Sequence, residues 1–265
     1  MTSLPKNSSG KDPKPLQYAT KAIKSVGEDC FVFHCVARFE TYKINRNMIV
    51  LKSPDGNLTV INPILLTESG EKSLLKLGKI QNIVRLGTSV NFYDGAVVED
   101  AYYLSKFPKC QRWAPGKLAS CPSLPIHQKL QHGMTMPHPD CRCFVIQSTA
   151  QPEAVLLLQR ETGGNMLITG DCLQHQMDNS FVNTPAYVHL KVSGYMKNRV
   201  VISKKWLEAM QTPEEDNAKA IRSSMEVMTK TKFHRFISTS GNVMLKVEAR
   251  QGVVDAIEKA FVAVA

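Results

Sequence analysis

A chain of 265 residues, 43% hydrophobic and 21% charged, can bury a sizeable core as one large domain or two small ones, with the composition of an ordinary globular protein. No apolar run approaches the roughly 20 residues that span a bilayer. The polar start, MTSLPKNSSGKDPKPLQ, resembles neither a signal peptide nor an anchor, so no membrane partner and a cytoplasmic location are expected. The net charge of +10 permits nonspecific attraction to anions, yet the aromatic interleaving and Arg clustering of a nucleic-acid surface are missing, and nucleic acid is not the expected partner. Homo-oligomerisation stays open. The seven cysteines are an odd number, and with no secretion signal they are expected to be reduced.

Residues 1–25 form a basic tail rich in Pro, Ser and Lys, expected to be disordered, and residues 26–265 form the folded domain. Cys30 to Ala37 (CFVFHCVA) is β-branched and aromatic and predicts a strand. Met48 to Lys52 and Leu58 to Ile61, joined by Ser53-Pro54-Asp55-Gly56-Asn57, predict a hairpin, because Pro presets φ and Gly accepts a positive one. A short helix follows over Glu71 to Leu77, ended by Gly78. Ile80 to Leu86 (IQNIVRL) predicts a buried strand closed by Gly87-Thr88-Ser89. A helix over Val97 to Phe107 has Val98, Ala101, Tyr102 and Leu104 on one face. Arg112-Trp113-Ala114 predicts a short strand, and so does Cys143 to Gln147.

Pro152 to Gln176 (PEAVLLLQRETGGNMLITGDCLQHQ) organises the rest. Two apolar runs, Ala154 to Leu158 and Met166 to Thr169, joined through Gly163-Gly164, predict a hairpin inside a packed sheet. The second run ends in Gly170-Asp171, which projects a carboxylate from the sheet's end, where α/β proteins place ligands and metals. The pattern continues through Ala186 to Val192, with helices over Ser203 to Met210 and Pro213 to Thr229. A strand over Phe233 to Ser238 and a helix over Gly252 to Val262 complete the chain.

The run Leu-Ile-Thr-Gly-Asp-Cys-Leu, set in this order of elements, resembles the metallo-β-lactamase superfamily from about Phe31 to the C-terminus. The resemblance implies an α/β fold, an αββα sandwich of two mixed sheets flanked by helices, with Asp171 at the metal-bridging position. It also implies His-x-His-x-Asp-His after the strand Ile80 to Leu86 and a His-Gly after Phe233 to Ser238. Here the first loop reads Gly87-Thr88-Ser89-Val90-Asn91-Phe92-Tyr93-Asp94-Gly95, without histidine. Asp94 or Asp100 is left as the match to its Asp, and Ser240-Gly241 replaces His-Gly. Asp171 with one further Asp cannot hold Zn²⁺ tightly, since such sites draw their affinity from Cys and His.

A second cluster, His138-x-x-Cys141-x-Cys143, is dense in soft ligands. Residues two apart in a strand share a face, so a structural zinc is geometrically possible there, although the spacing fits no common finger. No Gly-x-Ser-x-Gly, phosphate loop or dinucleotide fingerprint is present. The expected function is that of a degenerate metallo-β-lactamase-fold protein, without cofactor or hydrolytic activity, acting by binding or scaffolding. The alternative is a zinc- or other metal-dependent hydrolase with a relocated or incomplete site.

Overall fold

The computed structural model describes residues 17–18, 23–39, 42–88, 96–118, 122–175, 182–192, 194–195, 199–212, 217–245 and 248–262. The first half is one large sheet with two helices. In chain order it comprises β1 (Gln17–Tyr18), β2 (Lys24–Ser25), β3 (Cys30–Phe39), β4 (Tyr42–Lys52), β5 (Asn57–Ile61), α1 (Glu68–Leu77), β6 (Lys79–Val84), α2 (Ala96–Lys106), β7 (Gln111–Ala114) and β8 (Gln128–Lys129). The strands lie in the order β1-β3-β4-β5-β6-β7-β8, with β2 also on β3. β3 is antiparallel to β4 and β4 to β5, whereas β5, β6, β7 and β8 run parallel to one another.

Two of these strands fall within the segment expected to be a tail. β1 and β2 pair with the outer edge of β3, Gln17 with Val36 and Lys24 with Val32, which satisfies backbone groups that an open edge would leave unpaired. The predicted hairpin is present, and Asp55 Oδ1 accepts from Asn57 N at 3.0 Å within its turn. Helix α1 starts at Thr67, whose hydroxyl accepts from Gly70 N at 3.3 Å, the usual way to satisfy a first-turn N–H.

The second half gives β9 (Cys141–Ile146), β10 (Glu153–Leu158), β11 (Met166–Thr169), β12 (Gln174–His175), α3 (Thr184–Val192), β13 (Val200–Val201), α4 (Lys204–Met210), α5 (Ala218–Lys230), β14 (Arg235–Ser238) and α6 (Ala249–Phe261). The Pro152 hairpin is there, β10 antiparallel to β11 with Leu156 opposite Ile168. β14 is parallel to β11 on its other side, making a mixed sheet in the order β14-β11-β10-β9. β12 and β13 form a small separate ribbon. The segment Ala186 to Val192 is helical and lies within α3.

Alternation along the strands makes the layers. In β4, Ile49 and Leu51 face the second sheet while Met48 and Val50 face α1 and α2. In β10, Ala154, Leu156 and Leu158 face the first sheet, and Val155 and Leu157 face α4, α5 and α6. One core therefore lies between the sheets and one under each helical layer, giving an αββα sandwich. Period-two side-chain direction produces this when both faces of a sheet are covered. Among the described residues no helix is long and apolar enough to cross a membrane.

Candidate functional site

One corner of the sandwich gathers five strand ends: the start of β10, the start of β4 and the ends of β6, β11 and β14. Backbone hydrogen bonds hold them together. Ala154 N donates to Leu86 O at 2.7 Å, joining the two sheets. Thr239 N donates to Thr169 O at 3.2 Å and Asn47 N to Thr239 O at 2.7 Å. The turn Gly170-Asp171-Cys172 after β11 is tightened by the Thr169 hydroxyl, which donates to Leu173 O at 3.0 Å.

Glu153, the first residue of β10, is fully buried in this corner. Its Oε1 accepts from Cys172 N at 2.9 Å and its Oε2 from the Trp206 indole N–H at 2.6 Å. Two glycines make room for it. A Cβ at Gly170 would lie 2.7 Å from Oε1, and one at Gly87 would lie 3.0 Å from the Glu153 Cγ, so neither position accepts a side chain without movement of the carboxylate or its stem. Burial, and then the charge of Asp171, push the Glu153 carboxyl up to about 7, against the opposing pull of its two N–H donors. Burial likewise raises the neighbouring Cys172 thiol well above the thiol range, with Glu153 and Asp171 adding to it. A thiol so placed is a poor nucleophile.

Asp171 is nearly buried, and its Oδ1 accepts from Gln174 Nε2 at 3.2 Å and from the Thr239 hydroxyl at 3.3 Å. On the strand that follows, Gln174 Oε1 and His175 Nε2 are buried without a hydrogen-bond partner. The other ring nitrogen of His175 faces Asn242 O at 3.4 Å, and burial holds this imidazole below its usual range.

The turn after β14 is pinned from the first sheet by two asparagines. Asn45 Nδ2 donates to Gly241 O at 2.6 Å, and Gly241 N donates back to Asn45 Oδ1 at 3.1 Å. Asn47 Nδ2 donates to Ser238 O at 2.8 Å and to Gly241 O at 3.0 Å. Gly241 has φ +93°, a conformation that favours glycine.

The other residues singled out in the sequence are dispersed. Asp100, on α2, is completely buried, with Oδ1 bound by Arg85 Nη2 at 2.5 Å and Oδ2 by Arg112 Nε at 2.8 Å. Glu99 beside it pairs with Arg46 at 2.8 Å and with Arg85 at 3.3 Å. Asp94 lies outside the described residues. His138 is engaged at both ring nitrogens: Nε2 meets Asp29 Oδ2 at 2.7 Å and Nδ1 accepts from Asp140 N at 3.3 Å. Asp29 is in turn bound by Arg160. Cys141 and Cys143 both face the core between the sheets, where burial pushes the Cys143 thiol up to about 12 and that of Cys141 higher still.

Among the described residues no group of three or more His, Cys, Asp or Glu side chains is arranged to hold a metal ion. The corner itself does not fit one on chemical grounds. A Zn²⁺ or Fe centre needs several free lone pairs, chiefly on imidazoles, and here both Glu153 oxygens and one Asp171 oxygen already accept from protein donors.

Glu153, Trp206, Asn45 and Asn47 were not singled out in the sequence. A signal for Glu153 exists, since EAVLLL places one carboxylate at the head of an otherwise apolar strand buried at every position.

No family model matches the sequence, and no curated protein does. Solved structures match in fold. A metallo-beta-lactamase from Pontibacter korlensis aligns over 89% of this chain and 98% of its own, with TM-score 0.56 and 8% identity. A metallo-beta-lactamase family protein from Thermus thermophilus aligns over 90% and 81%, with TM-score 0.51 and 12% identity. The apo chemotaxis sensor ODP from T. denticola aligns over 88% and 91%, with TM-score 0.51 and 14% identity. At these identities the likeness concerns architecture alone, and it spans both sheets and both helical layers: the chain has the metallo-β-lactamase fold.

Proposed function

We propose that this protein has lost metal-dependent hydrolysis and acts by binding or scaffolding. The observation that carries the reading is the commitment of Glu153. Its carboxylate fills the space between Gly87 and Gly170 and is saturated by Cys172 N and the Trp206 indole. A buried carboxylate with two N–H donors is a structural plug, because pulling it out to ligate an ion would leave both donors unpaired in the core. The absence of imidazoles from the loop Gly87 to Gly95 and from Ser240-Gly241 adds support. A fold neighbour described as a chemotaxis sensor illustrates that the architecture is not restricted to β-lactam hydrolysis.

The test is elemental analysis of purified protein for Zn, Fe and Mn, alongside turnover of generic ester and thioester substrates. The expected result is sub-stoichiometric metal and no turnover. Near-stoichiometric metal whose chelation abolishes turnover would overturn the reading. It would favour a hydrolase with a relocated site, for which the unpartnered His175 Nε2 and Gln174 Oε1 beside the Asp171 turn supply the specific motive.

A further inference from the structure

The helical layer over the second sheet contains a cavity of about 430 Å³ between β13, the start of α4 and one face of α6. Its apolar wall is made by Val200, Ile202, Leu207, Ala256 and Ala260. Gly252 brings α6 close to β13, since a Cβ there would lie 3.2 Å from Val200 Cγ2. Three of the α6 residues on the lining, Gly252, Ala256 and Ala260, are small, which leaves the space between them and β13 open. The site is apart from the strand-end corner, although α4 serves both: Trp206 reaches Glu153, and Leu207 lines the cavity.

The polar groups at this cavity are predominantly cationic. Arg199, Lys204 and Lys259 all line it and are exposed. Among the described residues Arg199 and Lys259 have no ion-pair partner, and Lys204 has only a solvent-exposed contact with Glu208 at 3.7 Å, a geometry that contributes little. Among the described residues Asp255 is the one carboxylate on the lining, and its Oδ1 accepts from Gln251 Nε2 at 2.6 Å.

From this apolar floor with a cationic rim we infer a binding site for a single-chain amphiphile with an anionic head, a free medium-chain fatty acid. The acyl chain lies against Val200, Ile202, Leu207 and the small residues of α6, and the carboxylate meets Arg199, Lys204 or Lys259. Small-molecule sites range over about 300–1,000 Å³, with apolar walls and a few convergent polar groups. A volume near the lower end suits one acyl chain and is too small for a two-chain lipid.

The experiment is calorimetric titration of the full chain with sodium decanoate below its micellar concentration, with decanol as the uncharged control. Three proteins are compared: wild type, Lys204→Glu/Lys259→Glu, and Ala260→Phe. Each is first shown by circular dichroism and melting to be folded, which the exposure of both lysines and the half-burial of Ala260 favour. The expected result is saturable one-site binding of decanoate to wild type, weakened at least about tenfold by the charge reversal. Decanol should bind more weakly than decanoate and be indifferent to the charge reversal, and Ala260→Phe should weaken both ligands. Absence of saturable decanoate binding, or binding that neither variant changes, would overturn the inference. So would saturation only by an acidic amphipathic peptide, which would make the groove a protein-docking surface.

Discussion

The indole N–H of Trp206, on α4, donates to Oε2 of Glu153, at the head of β10, over 2.6 Å and wholly out of water. This bond ties the outer helical layer to the corner where the strand ends meet. It also fixes the carboxylate against Gly170 and Gly87, beside the turn that carries Asp171.

Glu153 gives the protein a specific pH dependence. Its folded pKa of about 7 lies above the ordinary 4.5, so the folded state holds this proton more tightly than the unfolded chain does. The contribution to stability is therefore present at pH 4.5 and below and is lost as pH rises through 7. Burial of His34 and His175, whose imidazoles are held low, acts in the opposite direction, so the total profile mixes both. The difference between wild type and Glu153→Gln isolates the carboxyl. That difference should move against wild type by roughly 3 kcal/mol from pH 4.5 to above 7. Urea denaturation at a series of pH values measures it, and a flat difference would show that Glu153 titrates normally.

Trp206→Phe keeps most of the buried ring and removes the donor. It leaves Oε2 of Glu153 without a partner in the core, which should cost about 2–3 kcal/mol. Paired with Glu153→Gln in a double-mutant cycle, it should show a coupling of about 1 kcal/mol or more. Additive effects would mean that the two side chains do not act together.

Much of the fold was legible because its core strands are apolar in a regular way. CFVFHCVA, MIVLK, AVLLL and MLIT carry period-two or continuous hydrophobicity, and Pro-Asp-Gly and Gly-Gly mark the turns between them. β4 was read short, from Met48, because Tyr42 to Asn47 (YKINRN) looks polar. The structure buries Asn45, Arg46 and Asn47 all the same, since each side chain finds fixed partners on Gly241, Ser238 or Glu99. Those partners lie more than fifty residues along the chain, which no local pattern can reveal. Glu153 was passed over although its place at the head of an apolar strand was a local signal, because its donors, Cys172 and Trp206, come from elsewhere in the chain. Asp171, by contrast, sits after a strand in a Gly-Asp turn, and that local signal placed it correctly at the strand ends.

Asp100 tests a structural role directly. Arg85 and Arg112 are both buried against its carboxylate, so Asp100→Ala removes the charge that the two guanidinium groups share, although Glu99 still faces Arg85 at 3.3 Å. Removal of one partner from such a network typically costs about 3–5 kcal/mol. The same loss should be measured with and without chelator. A loss that appears only in the absence of chelator would point to a metal held by Asp100.

Cys30, Cys35, Cys110, Cys141, Cys143 and Cys172 are buried free thiols. Burial raises every one of them, so almost no thiolate is present at neutral pH. Titration with a thiol reagent should find at most one fast-reacting group in the native protein and seven in denaturant, matching the sequence. Fewer than seven in denaturant without reductant would reveal a disulfide, and zinc released between the two steps would support a site at His138, Cys141 and Cys143.

Asp171 separates the two functional readings most sharply. As a structural residue it accepts from Gln174 and Thr239 through Oδ1. Asparagine keeps that oxygen, so Asp171→Asn should cost about 1 kcal/mol or less, the net worth of such a bond. The substitution also removes the negative charge that helps to raise the Glu153 carboxyl. Glu153 should then titrate at a lower pH, and the pH-dependent loss of stability between wild type and Glu153→Gln should shrink in the Asp171→Asn background. A metal ligand would behave otherwise, because a neutral amide is a far poorer partner for Zn²⁺ or Fe than a carboxylate. Wild type and Asp171→Asn should be compared for metal content, for melting temperature with and without chelator, and for ester and thioester turnover. Equal sub-stoichiometric metal, no chelator effect and no turnover in either protein are expected. Metal near one equivalent in wild type, stripped by Asp171→Asn together with activity, would make this corner a working metal centre and end the binding-protein reading.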